Sequence, residues 1–98
     1  MATVVVTRTA AASLERLISS HALPEDTTER VKRSLSILGR FPMAGRALER
    51  TAFGERRYLL GPWRWMVIVY EYDGESDQVA IVLIEDGRTS SAAANFRA

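Results

Sequence analysis

The chain has 98 residues, 47% of them hydrophobic and 26% charged, a balance that predicts one globular domain over residues 1–98 and excludes a disordered chain. It has no cysteine, which excludes disulfides and thiolate metal sites and fits a reducing cytoplasm, and its apolar runs are too short to span a membrane. The net charge is +1, but residues 29–64 carry nine basic and three acidic side chains, which indicates a cationic face and a polyanionic or acidic partner.

The first 40 residues predict one strand and two helices. Thr3–Thr7 is a short β-branched run typical of a strand, and Thr9 is the expected N-cap of the helix that follows. Apolar residues at helical spacing predict an amphipathic helix over Ala10–Ser20. Pro24 begins a second helix and Gly39 is its expected C-cap, so the two helices should form an antiparallel hairpin.

The remaining chain predicts three strands. Phe41–Gly54 is a polar connection interrupted by glycines, and the strands follow at Arg56–Leu60, Arg64–Tyr72 and Gln78–Glu85. The middle strand is apolar on both faces, which is typical of a central strand covered twice. Asp73–Asp77 is the predicted hairpin turn between the last two strands.

This order of elements defines the fold class. It predicts an α+β domain in which an N-terminal strand, a helical hairpin and a three-stranded antiparallel meander complete one twisted, mainly antiparallel sheet. The small, polar residues after Arg88 form a tail with one aromatic side chain, Phe96.

Several local patterns, taken together, indicate a family. Leu38–Arg46 has the form of an L…P…GR linker, and Arg57–Leu60 follows it as a strand. Arg64–Tyr70 (RWMVIVY) is an arginine-led central strand, and Val79–Ile84 followed by Arg88 is a last strand that ends in arginine. In this order and at this length, the chain resembles the RelE/ParE superfamily of bacterial toxins over almost its whole length.

The resemblance implies the toxin of a type II toxin–antitoxin, or plasmid stabilisation, system. Such a protein inhibits growth in the cytoplasm until a cognate antitoxin wraps it, and a homodimer is compatible with it. One branch of the superfamily consists of endoribonucleases that cut messenger RNA in the ribosome, and another poisons DNA gyrase. We expect no cofactor and no metal, since the chain has a single histidine and no cysteine.

The ribonuclease branch requires specific chemistry. Cleavage without a metal needs a base for the 2′-hydroxyl, an acid for the leaving 5′-oxygen, and cations for the phosphate. The resemblance assigns the cationic role to Arg57, Arg64 and Arg88, whose planar guanidinium groups bind phosphate oxygens bidentately and should meet in one hollow. Glu85 and Asp86 are candidate bases, although acidic residues at a strand end are more often solvated.

Four further residues are candidate contacts with a target. Arg46 and Arg50 lie in the predicted connection and can contact nucleic acid or an acidic partner. Trp63 can stack on a base or pack under an antitoxin, and Phe96 can stack on a base but cannot transfer a proton.

Other residues have simpler interpretations. Trp65 alternates with apolar neighbours and is expected in the core, and His21 is expected to be a cap or surface residue at the end of the first helix. Tyr58 is the only tyrosine that we place near a site.

Three functions therefore remain open. The tail lacks the histidine or tyrosine that ribonuclease members commonly carry, and this absence together with the linker favours binding and inhibition of gyrase. A ribosome-dependent endoribonuclease is the alternative, so the sequence leaves open whether the chain is an enzyme. The third possibility is a catalytically silent binding module of the same fold.

Overall fold

A computed structural model of the chain describes residues 1–51 and 54–88. The helices and strands are β1 (Thr3–Val6), α1 (Arg8–Ser20), α2 (Thr27–Leu35), α3 (Ile37–Arg40), β2 (Arg46–Thr51), β3 (Gly54–Leu60), β4 (Met66–Asp73) and β5 (Gln78–Asp86). No helix within the described residues is long and apolar enough to cross a membrane.

The described strands form one five-stranded sheet in the order β1-β5-β4-β3-β2. Strand β1 is parallel to β5, whereas the other neighbouring pairs are antiparallel. The predicted α+β class and the three-stranded meander are confirmed, and the sheet is mixed because β1 joins β5 in parallel. The prediction of an irregular connection over 41–54 is wrong for Arg46–Thr51, which pairs with β3 and adds a fourth strand to the meander.

Helix α1 begins earlier than the sequence indicates, because Thr7 and not Thr9 is its N-cap. The Thr7 hydroxyl oxygen accepts from the Ala10 N–H at 3.2 Å, and the same hydroxyl donates to the Ile81 carbonyl at 2.7 Å. One side chain therefore caps the helix and also ties its start to β5.

The second predicted helix is divided at Ser36. Both the N–H and the hydroxyl of Ser36 donate to the Arg33 carbonyl, at 3.2 and 2.7 Å. These hydrogen bonds span three residues, which tightens the last turn and ends α2 at Leu35. The short helix α3 follows and buries Leu38 in the core. The predicted helix from Pro24 to Gly39 is thus two helices.

The core lies between the helices and one face of the sheet. Alternate residues of β4, namely Met66, Ile68 and Tyr70, are fully buried there and meet Ile81 of β5 and Leu14 of α1. Because side chains alternate along a strand, the intervening residues of β4 and its neighbours lie on the opposite face, away from the described helices. That face carries the candidate site.

Gly45, in the linker, is required by close packing against the meander. Its N–H donates to the buried Tyr70 hydroxyl at 2.8 Å. A Cβ atom at Gly45 would lie 2.6 Å from both the Tyr58 carbonyl oxygen and the Tyr70 hydroxyl, which is closer than real Cβ contacts. The glycine of the linker motif therefore has a structural reason, and the Tyr70 hydroxyl satisfies a buried N–H.

We expect Tyr70→Phe to destabilise the protein by about 1–2 kcal/mol, because the substitution leaves the buried Gly45 N–H without an acceptor. Tyr72→Phe is the matched control, since the Tyr72 hydroxyl donates to Asp77 at an exposed position. The control should lose less than about 0.5 kcal/mol. Urea unfolding of the three proteins measures both values, and equal losses in the two variants would contradict the role of the Gly45 contact.

Candidate functional site

Two of the predicted arginines line one cleft at the end of the central strands. The cleft has a volume of about 270 Å³ and is lined by Tyr58, Arg64, Trp65, Val67, Gly87 and Arg88. It is called the arginine cleft below. Its position follows from the register of β4 and β5, in which Met66 lies opposite Asp86. The residues just before β4 and just after β5 therefore meet at the same end of this strand pair.

Gly87 closes this end of the hairpin. Its N–H donates to the Trp65 carbonyl at 2.7 Å, and a Cβ atom at Gly87 would lie 2.7 Å from the Val67 side chain. Any larger residue would push β5 away from Val67. The glycine therefore keeps Arg88 close to the floor of the cleft.

Arg64 and Arg46 extend the positive charge of this face. Among the described residues, Arg64 is exposed and has no hydrogen-bond or ion-pair partner, so its guanidinium is available to a ligand. Arg46 lies opposite Tyr58 in the β2–β3 register and therefore on the same face. Tyr58 and Arg46 also line a neighbouring cleft of about 430 Å³, so the two clefts share the Tyr58 side chain.

Arg57 does not join the other two arginines. It precedes Tyr58 on β3 and so projects from the opposite face, where it lies opposite the buried Tyr70. Its guanidinium donates to the Gly45 carbonyl at 2.8 Å and to the Glu55 carboxylate at 3.0 Å. The expected meeting of three arginines is therefore limited to Arg64 and Arg88, and Arg57 supports the linker.

Both tryptophans are half-buried and take part in a stack. Arg30 of α2 lies over the Trp63 ring at 4.6 Å, and the Trp63 and Trp65 rings are 6.1 Å apart. Trp65 packs against the core cluster, in line with its expected place, and its ring stacks on His21 at 4.6 Å with an interplanar angle of 13°. Arg88 lies over Trp65 at 5.1 Å. The stack links the helices to the arginine cleft.

Asp86 is buried and accepts hydrogen bonds from groups of Arg88 and His21. Its carboxylate accepts from Arg88 Nε and Nη2 at 3.0 and 2.9 Å, from the Arg88 backbone N–H at 2.9 Å, and from His21 Nε2 at 3.0 Å. These donors, the Arg88 side chain first, hold the pKa of Asp86 well below its usual range, although burial opposes them. Asp86 is thus an ionised structural acceptor and a poor base.

Glu85 projects from the opposite face of β5 to Asp86. It lies opposite Val67 in the β4–β5 register, and Val67 lines the arginine cleft, so Glu85 projects from the cleft face. One of its carboxylate oxygens is buried and has no hydrogen-bond partner. Glu85 is not among the residues that line the arginine cleft; it lines a separate cleft with Ser20 and His21 at the end of α1.

Two predicted contacts lie beyond what the structure describes. Phe96 falls outside the described residues, as does the side chain of Arg50, so their roles stay predictions. Among residues 1–51 and 54–88, no three histidine or acidic side chains are grouped so that they would hold a metal ion. The link from His21 through Asp86 to Arg88 was missed, because nothing in the sequence indicates that the end of α1 lies beside the end of β5.

The fold has counterparts among solved structures. The chain is similar to a chain of the toxin–antitoxin complex RelBE2 from Mycobacterium tuberculosis, with 25% identity, a TM-score of 0.58, and coverage of 87% of this chain and 96% of that one. It also shares its fold with an arginine-to-alanine double mutant of the Escherichia coli toxin RelE in the free state. There the identity is 14% and the TM-score 0.61, over 98% of this chain and 95% of that chain. The sequence matches no protein-family profile and no curated protein sequence.

Helices on one face of a mixed five-stranded sheet make up the fold that the chain shares with the toxin RelE. The similarity to the RelBE2 complex agrees with the motifs in the sequence. Together with those motifs, the similarity to the RelBE2 chain supports a RelE/ParE superfamily toxin of a toxin–antitoxin system.

Proposed function

We propose that this toxin cleaves RNA at the arginine cleft, in the manner of a ribosome-dependent messenger RNA endoribonuclease. The observation that carries the proposal is the presence of two guanidinium groups, those of Arg64 and Arg88, in one cleft beside the Tyr58 side chain. Arginine pairs of this kind suit the phosphate oxygens of a nucleic acid backbone. The neighbouring Trp65 and Tyr58 rings offer surfaces on which a base can stack.

The proposal differs from the gyrase inhibition that the sequence favours. That preference rests on a tail without a proton-transfer residue, and the tail lies outside the described residues. Within the described residues, the Tyr58 hydroxyl and the Glu85 carboxylate lie on the face of the sheet that carries the cleft. These two residues are candidates for proton transfer outside the tail, and two solved structures to which the chain is similar are the RelBE2 complex and the toxin RelE, which supports the ribonuclease alternative.

The roles of the residues follow from the reaction. The 2′-oxygen attacks the adjacent phosphorus and loses its proton, the bond from phosphorus to the 5′-oxygen breaks, and that oxygen gains a proton. The products are a 2′,3′-cyclic phosphate and a 5′-hydroxyl. Arg64 and Arg88 stabilise the charge that develops on the phosphate, Glu85 accepts the first proton and Tyr58 donates the second.

We expect Arg64→Ala to lower RNA cleavage by about 100-fold or more, because one guanidinium is lost from the charge that develops in the transition state. Arg33→Ala is the matched control, since Arg33 is an exposed arginine of α2 away from the cleft. Primer extension on a translated messenger, with the purified proteins, should show new stops for the wild type and the control but not for Arg64→Ala.

The same preparations separate the other functions. Undiminished stops with Arg64→Ala would contradict the proposal. The absence of stops with the wild type, together with blocked supercoiling in a gyrase assay, would assign the chain to the gyrase-inhibiting branch. If the wild type neither cleaves RNA nor blocks supercoiling, and growth is normal when the gene is expressed alone, the chain is a catalytically silent binding module.

We also propose that an antitoxin segment covers an apolar groove on the other side of the molecule. The groove has a volume of about 270 Å³ and lies between β1, α1 and α2, with Val6, Leu14, Val31 and Leu35 among its lining residues. Val6 is 42% exposed and lies on an edge strand of the described sheet. An amphipathic peptide with apolar anchors at helical spacing fits such a groove, and the similar chain of RelBE2 comes from a toxin–antitoxin complex.

We expect Val6→Glu to weaken antitoxin binding at least about tenfold, because a carboxylate would be buried against apolar side chains. Ile37→Glu is the control, since Ile37 is similarly exposed but lies on α3, outside the groove. Isothermal titration with the product of the adjacent reading frame measures both affinities. An equal affinity for the wild type and Val6→Glu would place the antitoxin elsewhere.

A further inference from the structure

The contacts of Asp86 suggest a role for residues that do not themselves reach the substrate. Arg88 is 63% exposed at its side chain, yet two of its guanidinium nitrogens donate to the nearly buried Asp86 carboxylate, at 3.0 and 2.9 Å. Arginine has five N–H donors, so three remain for a ligand. The guanidinium also lies over the Trp65 ring, 5.1 Å from its centroid.

We propose that Asp86 is the positioning residue for Arg88 in RNA cleavage, and that His21 and Trp65 hold the pair in place. This inference rests on the proposed function, because it assigns Arg88 to the phosphate. The four residues His21, Trp65, Asp86 and Arg88 are called the Asp86 clamp below. In the clamp, Asp86 uses one edge of the guanidinium and turns the remaining donors toward the cleft.

The clamp restricts the conformational freedom of an arginine at an exposed turn. Such a side chain has many rotamers, and catalysis requires that its donors be in place before charge develops on the phosphate. A bidentate pair fixes both the position and the plane of the guanidinium, which a single contact does not. The backbone N–H of Arg88 also donates to Asp86, at 2.9 Å, so the carboxylate orients the main chain and the side chain together.

His21 connects the clamp to the helices. A carboxylate only accepts hydrogen bonds, so His21 Nε2 donates to Asp86 at 3.0 Å, and its Nδ1 is hydrogen-bonded to the Ser20 hydroxyl at 2.9 Å. The imidazole also stacks on Trp65 at 4.6 Å. The end of α1 therefore supports Asp86. His21 is the C-cap of α1, which agrees with the expected cap role, and its side chain also takes part in the clamp.

The first test is the steady-state kinetics of Asp86→Asn on programmed ribosomes. We expect kcat to fall about 10- to 100-fold, because Arg88 loses its fixed orientation. We expect KM to stay equal or to fall, because the loss of a negative charge beside the cleft strengthens the attraction of RNA. Arg88→Ala should instead lower kcat and raise KM. Asp77→Asn is the control, since Asp77 lies in the hairpin turn at the other end of β5 and should not change either constant.

Two variants of His21 separate its contacts. His21→Gln keeps a donor for Asp86 but loses the stacked ring, whereas His21→Phe keeps a ring over Trp65 but loses the donor. Because the chain has two tryptophans, Trp63→Phe leaves Trp65 as the only one, and its emission reports on the clamp without any cleavage. In that background, Asp86→Asn and Arg88→Ala should each shift or brighten the emission, and a short RNA with a 2′-deoxy substitution at the cleavage position should change it in the parent protein.

The outcomes distinguish this inference from the function on which it rests. If the wild type cleaves RNA and Asp86→Asn keeps both kcat and KM, the clamp is overturned while the proposed function stands. If Asp86→Asn unfolds, the His21→Phe kinetics decide instead, and an unchanged kcat overturns the inference. If the wild type cleaves no RNA, the proposed function fails, and identical Trp65 emission in the parent and Asp86→Asn then overturns the clamp as well.

Discussion

The antiparallel register of β4 and β5 is the constraint on which the candidate site depends. Met66 lies opposite Asp86 in that register, and the pairing brings Arg64 and Arg88 to the same end of the two strands although they are distant in sequence. Burial fixes the register, because a slip by one residue would turn the fully buried Ile68 and Tyr70 away from the helices. The core and the arginine cleft therefore lie on opposite faces of the same two strands.

The sequence allowed most of the elements to be predicted, because their signals are local. The apolar pattern of β4, the turn at Asp73–Asp77 and the N-terminal strand with its helix all depend on neighbouring residues. Strand β2 has no such local signal, because Arg46–Thr51 is polar and shows no alternating pattern. The segment becomes a strand only by pairing with β3. The break at Ser36 depends on a side-chain hydrogen bond that competes with the helix, which periodicity cannot reveal.

The site was predictable in part for the same reason. Arg64 and Arg88 follow from the ends of adjacent strands, whereas Arg57 was assigned without regard to the face of its strand. Leu59 packs against the core, and alternation from Leu59 places Arg57 on the core side and Tyr58 on the cleft side, so this error was avoidable. The partnership of His21 with Asp86 was not predictable, because it joins the end of a helix to a strand far along the chain.

In the proposed reaction Arg64 and Arg88 act on the same phosphate, and a double-mutant cycle measures whether they do. Cleavage on programmed ribosomes would be measured for the wild type, Arg64→Ala, Arg88→Ala and the variant with both substitutions. If the two arginines bind one phosphate, the double variant should lose little more activity than either single variant, with a coupling energy of about 1 kcal/mol or more. Losses that multiply, as they do for independent sites, would contradict it.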